Sequence, residues 1–322
     1  MRPMLRALVV ALVLLLPLAA GAETWPSKPI RIIVPFPAGG PTDTLSRFLG
    51  ERLTQSLGQQ VIIDNRPGAG GNIGAEAVAR APADGYTFLL ASQGVYVTNN
   101  ALFSKTGYDP QTDFAMVSLI AAVPNVIIVG ANAPIKSIPD LIAFAKTHPG
   151  QATSGSGGNG SAGHLSLELL KTVAAVDIAH VPYRGSAPML ADLLGGQTTM
   201  AIDALNSALP YVRDGRLRAI AVTTTRRSSS LPDVPTVAEQ GIAGYESSAW
   251  FAVAAPARTP EAIVSRLSKE IDAALKSPDL SRRIRDLGAD PLGGSPADIT
   301  GFAATEREKW TKLIERAHVK VD

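Results

Sequence analysis

Two glycine-rich stretches carry the residue types that can hold a small anion. The first is Phe36-Pro37-Ala38-Gly39-Gly40-Pro41-Thr42-Asp43, the second Gly155-Ser156-Gly157-Gly158-Asn159-Gly160-Ser161. Neither contains a cation. Their chemistry is that of backbone N–H groups, which glycine lets a ligand approach closely, and of hydroxyls on Thr42, Ser156 and Ser161. In the first stretch the donors run from Ala38 to Thr42, less the one that Pro41 lacks. A carboxylate suits such a place as well as a phosphate does. Other candidate groups are few. Ser92 ends a third apolar run, His164 follows Ser161 by three residues, and Arg184 is the one cation in a comparable turn. Asp203 follows an apolar strand, where it either takes a ligand amine or hydroxyl or caps the next helix.

Two enzymatic patterns come close. Gly155 to Gly160 satisfies G-x-G-x-x-G, but a dinucleotide fold wants an acidic residue about 20 positions on, at a strand end. Asp177 precedes its strand. Asn159-Gly160-Ser161-Ala162-Gly163 approaches G-x-S-x-G with asparagine in the first glycine's place, and His164 shares a helix face with Ser161. No carboxylate can be assigned to orient that histidine, as a triad requires. Two classes stay open from the residues alone: a binding module for a small organic acid, and an exported serine hydrolase acting through Ser161.

The elements that must position these groups read as strand, glycine turn and helix. Ile30–Val34 is a short apolar run, and Thr42 or Asp43 can cap a helix whose apolar face carries Leu45, Phe48, Leu49, Leu53 and Leu57. Gln60–Asp64 and Tyr86–Ala91 are the next strands, with a helix over Ile73–Ala81 between them. Two β-prone stretches, Met116–Ala121 and Asn125–Val129, are separated by Pro124. A second alternation follows: helix Ile138–Lys146, strand Ala152–Ser154, helix Ala162–Val173, strand Ile178–Pro182, helix Ala187–Leu194, strand Thr199–Ile202, then a short helix and strand Leu217–Thr223. Strands alternating with helices predict an α/β fold with mainly parallel sheets, and ligands sit beyond the carboxyl ends of such strands. The last 70 residues hold helices at Pro260–Lys276, Asp279–Leu287 and Pro296–Ala317, and too few strands for a sheet of their own. They are expected to return to the first lobe. Residues 23–124 and 250–322 then form lobe 1 and residues 125–249 form lobe 2, with two crossings. Trp250, on the return crossing, is expected to report closure by fluorescence.

Composition narrows the class. Arg2 and Arg6, the apolar run Ala7–Leu16, the Pro17 break and Ala20-Gly21-Ala22 match a cleaved secretory leader over residues 1–22. Its removal takes 22 of 322 residues and two of 30 basic side chains, leaving 28 against 28 acidic ones. A chain without net charge or a clustered basic stripe is not built to bind nucleic acid. There is no cysteine, which excludes thiol catalysis, disulfides and a lipid-modified N-terminal cysteine. The four histidines are scattered, so neither a metal cluster nor any other cofactor is expected.

The segments KPIRIIVPFPAGGPTD, VIIDNRPGAGGNIGAE, DGYTFLLAS, GSGGNGSAGHL, HVPYRGSAPML and LPDVPTVAEQG, in this order, resemble the Bug receptors. These are the extracytoplasmic solute-binding proteins of tripartite tricarboxylate transporters. The resemblance covers essentially the whole mature chain. It implies a two-lobed Venus-flytrap fold, a monomer in the periplasm, and membrane components of such a transporter as partners. It also implies a small carboxylated ligand: a di- or tricarboxylate, an aromatic acid or an acidic amino acid. The family's grip falls here on Phe36 to Asp43 and Ser154 to Ser161, with Asp203 at the position that sets specificity. A receptor that feeds a sensor kinase is a variant of the same reading.

Overall fold

The computed structural model describes residues 25–321, so the expected leader and its cleavage point lie outside the described residues. The first sheet is built from β1 (Ile30–Val34), β2 (Val61–Asn65), β3 (Thr87–Ser92), β4 (Phe114–Gly130), β9 (Ser248–Pro256) and β10 (Asp290–Gly293). Their order is β2-β1-β3-β9-β4, with β10 also on β4. The second sheet combines β5 (Thr153–Ser156), β6 (Ala179–Pro182), β7 (Met200–Ala204) and β8 (Leu217–Val222) with the far end of β4.

Each sheet is mixed, which corrects the expectation of mainly parallel strands. β1 pairs in parallel with β2 and β3, and β5 with β6 and β7, whereas β4 and β9 run antiparallel to their neighbours. The two stretches around Pro124 are one 17-residue strand rather than two. Its partners change at that point: Pro124 lies opposite Ser248 on β9, and Asn125 begins the register with β7. Proline lacks the N–H a ladder needs, and it stands where one ladder gives way to the next.

Strand faces explain the packing. Ile30, Ile32 and Val34 point to one side of β1, where they are buried against Leu45, Leu49 and Leu53 of α1 (Pro41–Leu57). Ile33 points to the other side, toward α2 (Asn72–Ala79). From Ile32 to Val34 both faces are covered, so the run is apolar without alternation there, and Arg31 is its one exposed residue. The C-terminal part joins this lobe: α8 (Glu261–Lys276) packs with α1, and α10 (Pro296–Ala317) covers the opposite face with Trp310, Leu313 and Ile314. α9 (Pro278–Asp286) follows α8 and buries Leu280 and Ile284 in the same cluster as α1 and α8. In the second lobe, Ile127 and Val129 of β4 face α4 (Ile138–Thr147) and α5 (Ala162–Ala174). Val126 and Ile128 face α6 (Ser186–Leu194) and α7 (Leu205–Arg213). Among the described residues no helix is long and apolar enough to cross a membrane.

One segment escaped the sequence reading. After β3 the chain makes a single π-turn over Gly94–Thr98 and a short helix, α3 (Asn99–Leu102). Such turns recur at functional sites.

Candidate functional site

The first loop is braced from inside. Helix α1 starts with Pro41 at its first turn and Gly40 as N-cap, which makes no side-chain cap bond. Neither Thr42 nor Asp43 is the cap, and Thr42 is buried. Asp43 instead reaches back past the cap: its carboxylate accepts from the Gly39 N–H at 2.9 Å, Arg47 Nε at 2.9 Å and Asn65 Nδ2 at 3.0 Å. Asn65 also donates to the Phe36 carbonyl at 3.1 Å, so both ends of the loop hang on one carboxylate–amide pair. Burial alone would raise the Asp43 carboxyl; the bonds from Arg47, Gly39 and Asn65 outweigh it and hold it below its usual value. Asp43 is thus a brace, and the Gly39 amide is already committed. Gly39 has φ +83 and a Cβ there would meet nothing within 4 Å, so its outward side is open. Ala38 is exposed beside it.

The second loop is braced in the same way. Ser156 is fully buried, and its hydroxyl lies 2.7 Å from His180 Nε2 and accepts from the Gly158 N–H at 3.2 Å. It is placed as an internal brace, not as a donor presented to the cleft. Ser161 is the N-cap of α5, accepting from the His164 N–H at 3.2 Å, and its own hydroxyl points to Ser156 at 3.4 Å. His164 Nδ1 accepts from the Gly160 N–H at 3.1 Å. With Nδ1 accepting, the neutral ring carries its proton on Nε2, and the Ser161 hydroxyl points to Ser156 rather than to either ring nitrogen, so the two form no serine–base pair. The rings of His164 and His180 stack with centroids 3.8 Å apart.

Between the lobes lies a cavity of about 460 Å³. Of the residues singled out from sequence it brings together Phe36, Ser92, Asn159 and Ser161. Its first-lobe wall is made by Gln93, Thr98, Asn99 and Phe103 from the π-turn region, which the sequence reading missed. Ser247, Ser248 and Ala249 of the crossing form part of the lining, with Trp310 beside them. Among the described residues no charged side chain lines it. The signal for the missed wall was Ser92-Gln93-Gly94 at a strand's carboxyl end, followed by polar residues without period.

Arg184 and Asp203 lie on the other flank of the second loop. Arg184 is exposed in the turn before α6, and that turn touches the loop, since a Cβ on Gly158 would come 3.0 Å from the Tyr183 carbonyl. Asp203 sits inside β7 rather than after it, and Ala204, not Asp203, caps α7. Its Oδ1 accepts from Ser186 Oγ at 2.9 Å; its Oδ2 is buried and has no hydrogen-bond partner among the described residues. Burial raises this carboxyl. Trp250 lies near the start of β9, beside the crossing. It is fully buried in the first lobe, stacked on Tyr96 with ring centroids 6.0 Å apart, while Trp310 faces the cavity.

The histidine stack makes stability depend on pH. Burial lowers His164 to about 4, and burial together with the neighbouring His164 lowers His180 to about 4. Glu168 Oε1 lies 3.8 Å from His164 Nε2 but is engaged by Lys171 at 2.9 Å. Unfolded histidines titrate near 6.5, so between about pH 6.5 and 4 the unfolded chain binds more protons than the folded one. Stability is therefore complete above pH 6.5 and falls as pH drops toward 4. We expect the melting temperature to decline across this window, and the slope to flatten in His180→Gln. Parallel pH profiles for the two proteins would contradict the assignment.

Comparison with known proteins agrees with this architecture. The family model described as TctC, tripartite tricarboxylate transporter family receptor, matches residues 45–319. Protein BugT of Bordetella pertussis is 38% identical over 303 residues, 93% of this chain and 92% of that protein. The structure of R. palustris Rpa4515 with adipate is 43% identical with a TM-score of 0.79, covering 92% of this chain and 100% of that one. MatC (Rpa3494) from Rhodopseudomonas palustris with bound malate is 32% identical with a TM-score of 0.74, over 90% and 100%. This chain belongs to the TctC, or Bug, family: solute-binding receptors of tripartite tricarboxylate transporters, not enzymes.

Proposed function

We propose that this receptor captures a small dicarboxylate between its lobes and delivers it to the membrane components of a tripartite tricarboxylate transporter. The observation that carries the reading is the inter-lobe cavity: Phe36 at the start of the first loop and Asn159 to Ser161 of the second line it, and among the described residues no charged side chain does. In this reading one ligand carboxylate is held by uncharged donors of the two loops: the N–H groups of Ala38 and Gly40, which stand outside the cavity lining beyond Phe36, on one side, and Asn159 and Ser161 on the other. Micromolar affinity needs roughly 8 kcal/mol. Hydrogen bonds to a charged group contribute about 1.5–3 kcal/mol each, and a helix start adds about 0.3–1 kcal/mol, or near 2 when partly buried. Four or five such donors suffice, even after the ordering of the lobes is subtracted. In this reading Arg184, in the exposed turn that touches the second loop, meets a second carboxylate, and Asp203 accepts from a ligand hydroxyl or amine. The lobes divide at Pro124/Asn125 and at Ala249/Trp250, and closure is a shift of population toward the state that touches ligand from both sides. Export through cleavage after Ala22 completes the reading; N-terminal sequencing of the secreted protein checks it.

The relatives with adipate and with malate supply the probes. Calorimetry is expected to show saturable binding of one dicarboxylate at one site per chain, with no binding of its diester. Trp310 should report the event by a fluorescence change that vanishes in Trp310→Phe and survives in Trp250→Phe. If neither adipate, malate nor any other small carboxylate binds, the reading fails. A signal lost with Trp250 instead would place the reporter in the core.

A further inference from the structure

We propose that the segment His318–Val321, beyond the last helix, clasps the two lobes together and that Val321 sets how fast a solute leaves. Helix α10 ends at His318 in the left-handed region, φ +51, which turns the chain back toward the cleft. Val319 is buried and its N–H donates to the Ile314 carbonyl at 3.1 Å. The Val321 N–H then donates to the Leu102 carbonyl at 3.1 Å, which fixes the tail to the end of α3 in the first lobe.

From there its side chain reaches the second lobe. Val321 lines the cavity with Leu102, and both meet Gly160 of the second loop. A Cβ on Gly160 would stand 2.9 Å from Val321 Cγ2 and 3.2 Å from Leu102 Cδ1, and Gly160 has φ +72. Only glycine fits both the backbone and the space. The same seam continues inward: Leu165 of α5 is buried in one apolar cluster with Trp310, Ile314 and Val319 of the first lobe. Opening the lobes leaves the β4 and β9 crossings intact but separates Val321 from Gly160. The clasp thus adds to the barrier for release. At 39% exposure Val321 makes a partial contact, weak enough to be broken in each cycle.

The retention half of this inference rests on the cavity being the solute site; the clasp itself does not. The chain has no cysteine, so Lys105→Cys in the first lobe and Ala187→Cys in the second, both exposed, give a unique label pair. Without ligand, Val321→Asp and a chain ended at Lys320 are expected to shift the inter-lobe distances to longer values, with the melting temperature nearly unchanged. Adipate should dissociate roughly fivefold to tenfold faster from both, as loss of a half-buried valine contact implies, with association altered less than twofold. Unchanged distances in both variants would overturn the clasp. Longer distances with an unchanged release rate would overturn the role in retention. If the parent protein binds no adipate, the distances still decide the clasp, and the failure belongs to the choice of solute.

Discussion

Gly163→Ala is expected to lower stability by at least about 3 kcal/mol, the upper range for overpacking, and to weaken solute binding roughly a hundredfold. Gly163 lies in the first turn of α5, and an added Cβ would fall well inside contact distance of the Ile202 carbonyl oxygen and 3.1 Å from its carbon. In an open helix the same change would be favourable by about 1 kcal/mol, so the sign depends on whether the neighbour can yield. It cannot: Ile202 lies opposite Ile127 in the ladder between β7 and β4, at the centre of the second sheet. The helix must move instead, and it carries Ser161 and the second loop with it. A site displaced by about 1 Å is too loose to hold its ligand. Gly301→Ala in α10 is the control, because nothing lies within 4 Å of a Cβ there and the residue is outside both loops. Calorimetry and thermal unfolding of the two variants should differ sharply. Equal stability and affinity in Gly163→Ala and the parent would show that α5 is not pinned by this contact.

How much of the site was legible follows from what sets each part. The strand–loop–helix units β1–α1 and β5–α5 are local, and their punctuation by glycine and proline lies in the chain itself. The two loops therefore stand between strand and helix where the sequence puts them, and Phe36 of the first and Asn159 to Ser161 of the second line the cavity. What their polar side chains do was not legible. A tight loop leaves backbone groups that must be paired, so Asp43 and Ser156 turn inward to pair them, as the Gly39 and Gly158 amides show. Read in sequence, the same residues resemble ligand contacts. The cavity's other walls come from Asn99, Ser248, Trp310 and Val321, more than 200 positions apart at the extremes, and no local pattern joins them. The continuity of β4 was hidden for a related reason. Pro124 signals a break, and the strand survives because its partners change there.

That no cationic side chain lines the cavity among the described residues has a physical consequence. A carboxylate held by an arginine would feel a strong, salt-screened attraction. One held by oriented amides and hydroxyls feels a short-range field that depends on geometry. The grip on the first carboxylate should change little with ionic strength and much with loop position, which makes the braces beneath the loops decisive; salt should act through Arg184 at the second carboxylate.

Asp43→Ala tests that dependence most directly and is expected to weaken binding at least thirtyfold. Removing the carboxylate releases the Gly39 N–H and the Asn65 amide together, so the turn and its tie to Phe36 loosen at once. The ion pair with Arg47 counts for less, because that side chain is 54% exposed and such pairs contribute about 0–1 kcal/mol. The two remaining bonds, to a charged acceptor that is 3% exposed, set the expected loss of stability at about 2–4 kcal/mol. Arg47→Ala should cost less than about 1 kcal/mol and leave affinity within a factor of two. Asp43→Asn keeps the shape but sets an NH₂ against one of two donors, so it should fall between. Because the carboxyl is held below its usual value, it stays ionised through the neutral range. Its contribution is lost only when pH falls below the ordinary carboxylate range. Calorimetry at two pH values, 5 and 8, should therefore show the same ratio between the parent and Asp43→Ala. An Asp43→Ala protein that is folded and binds within twofold of the parent would mean that the first loop holds its shape without this carboxylate, or that it does not grip the solute.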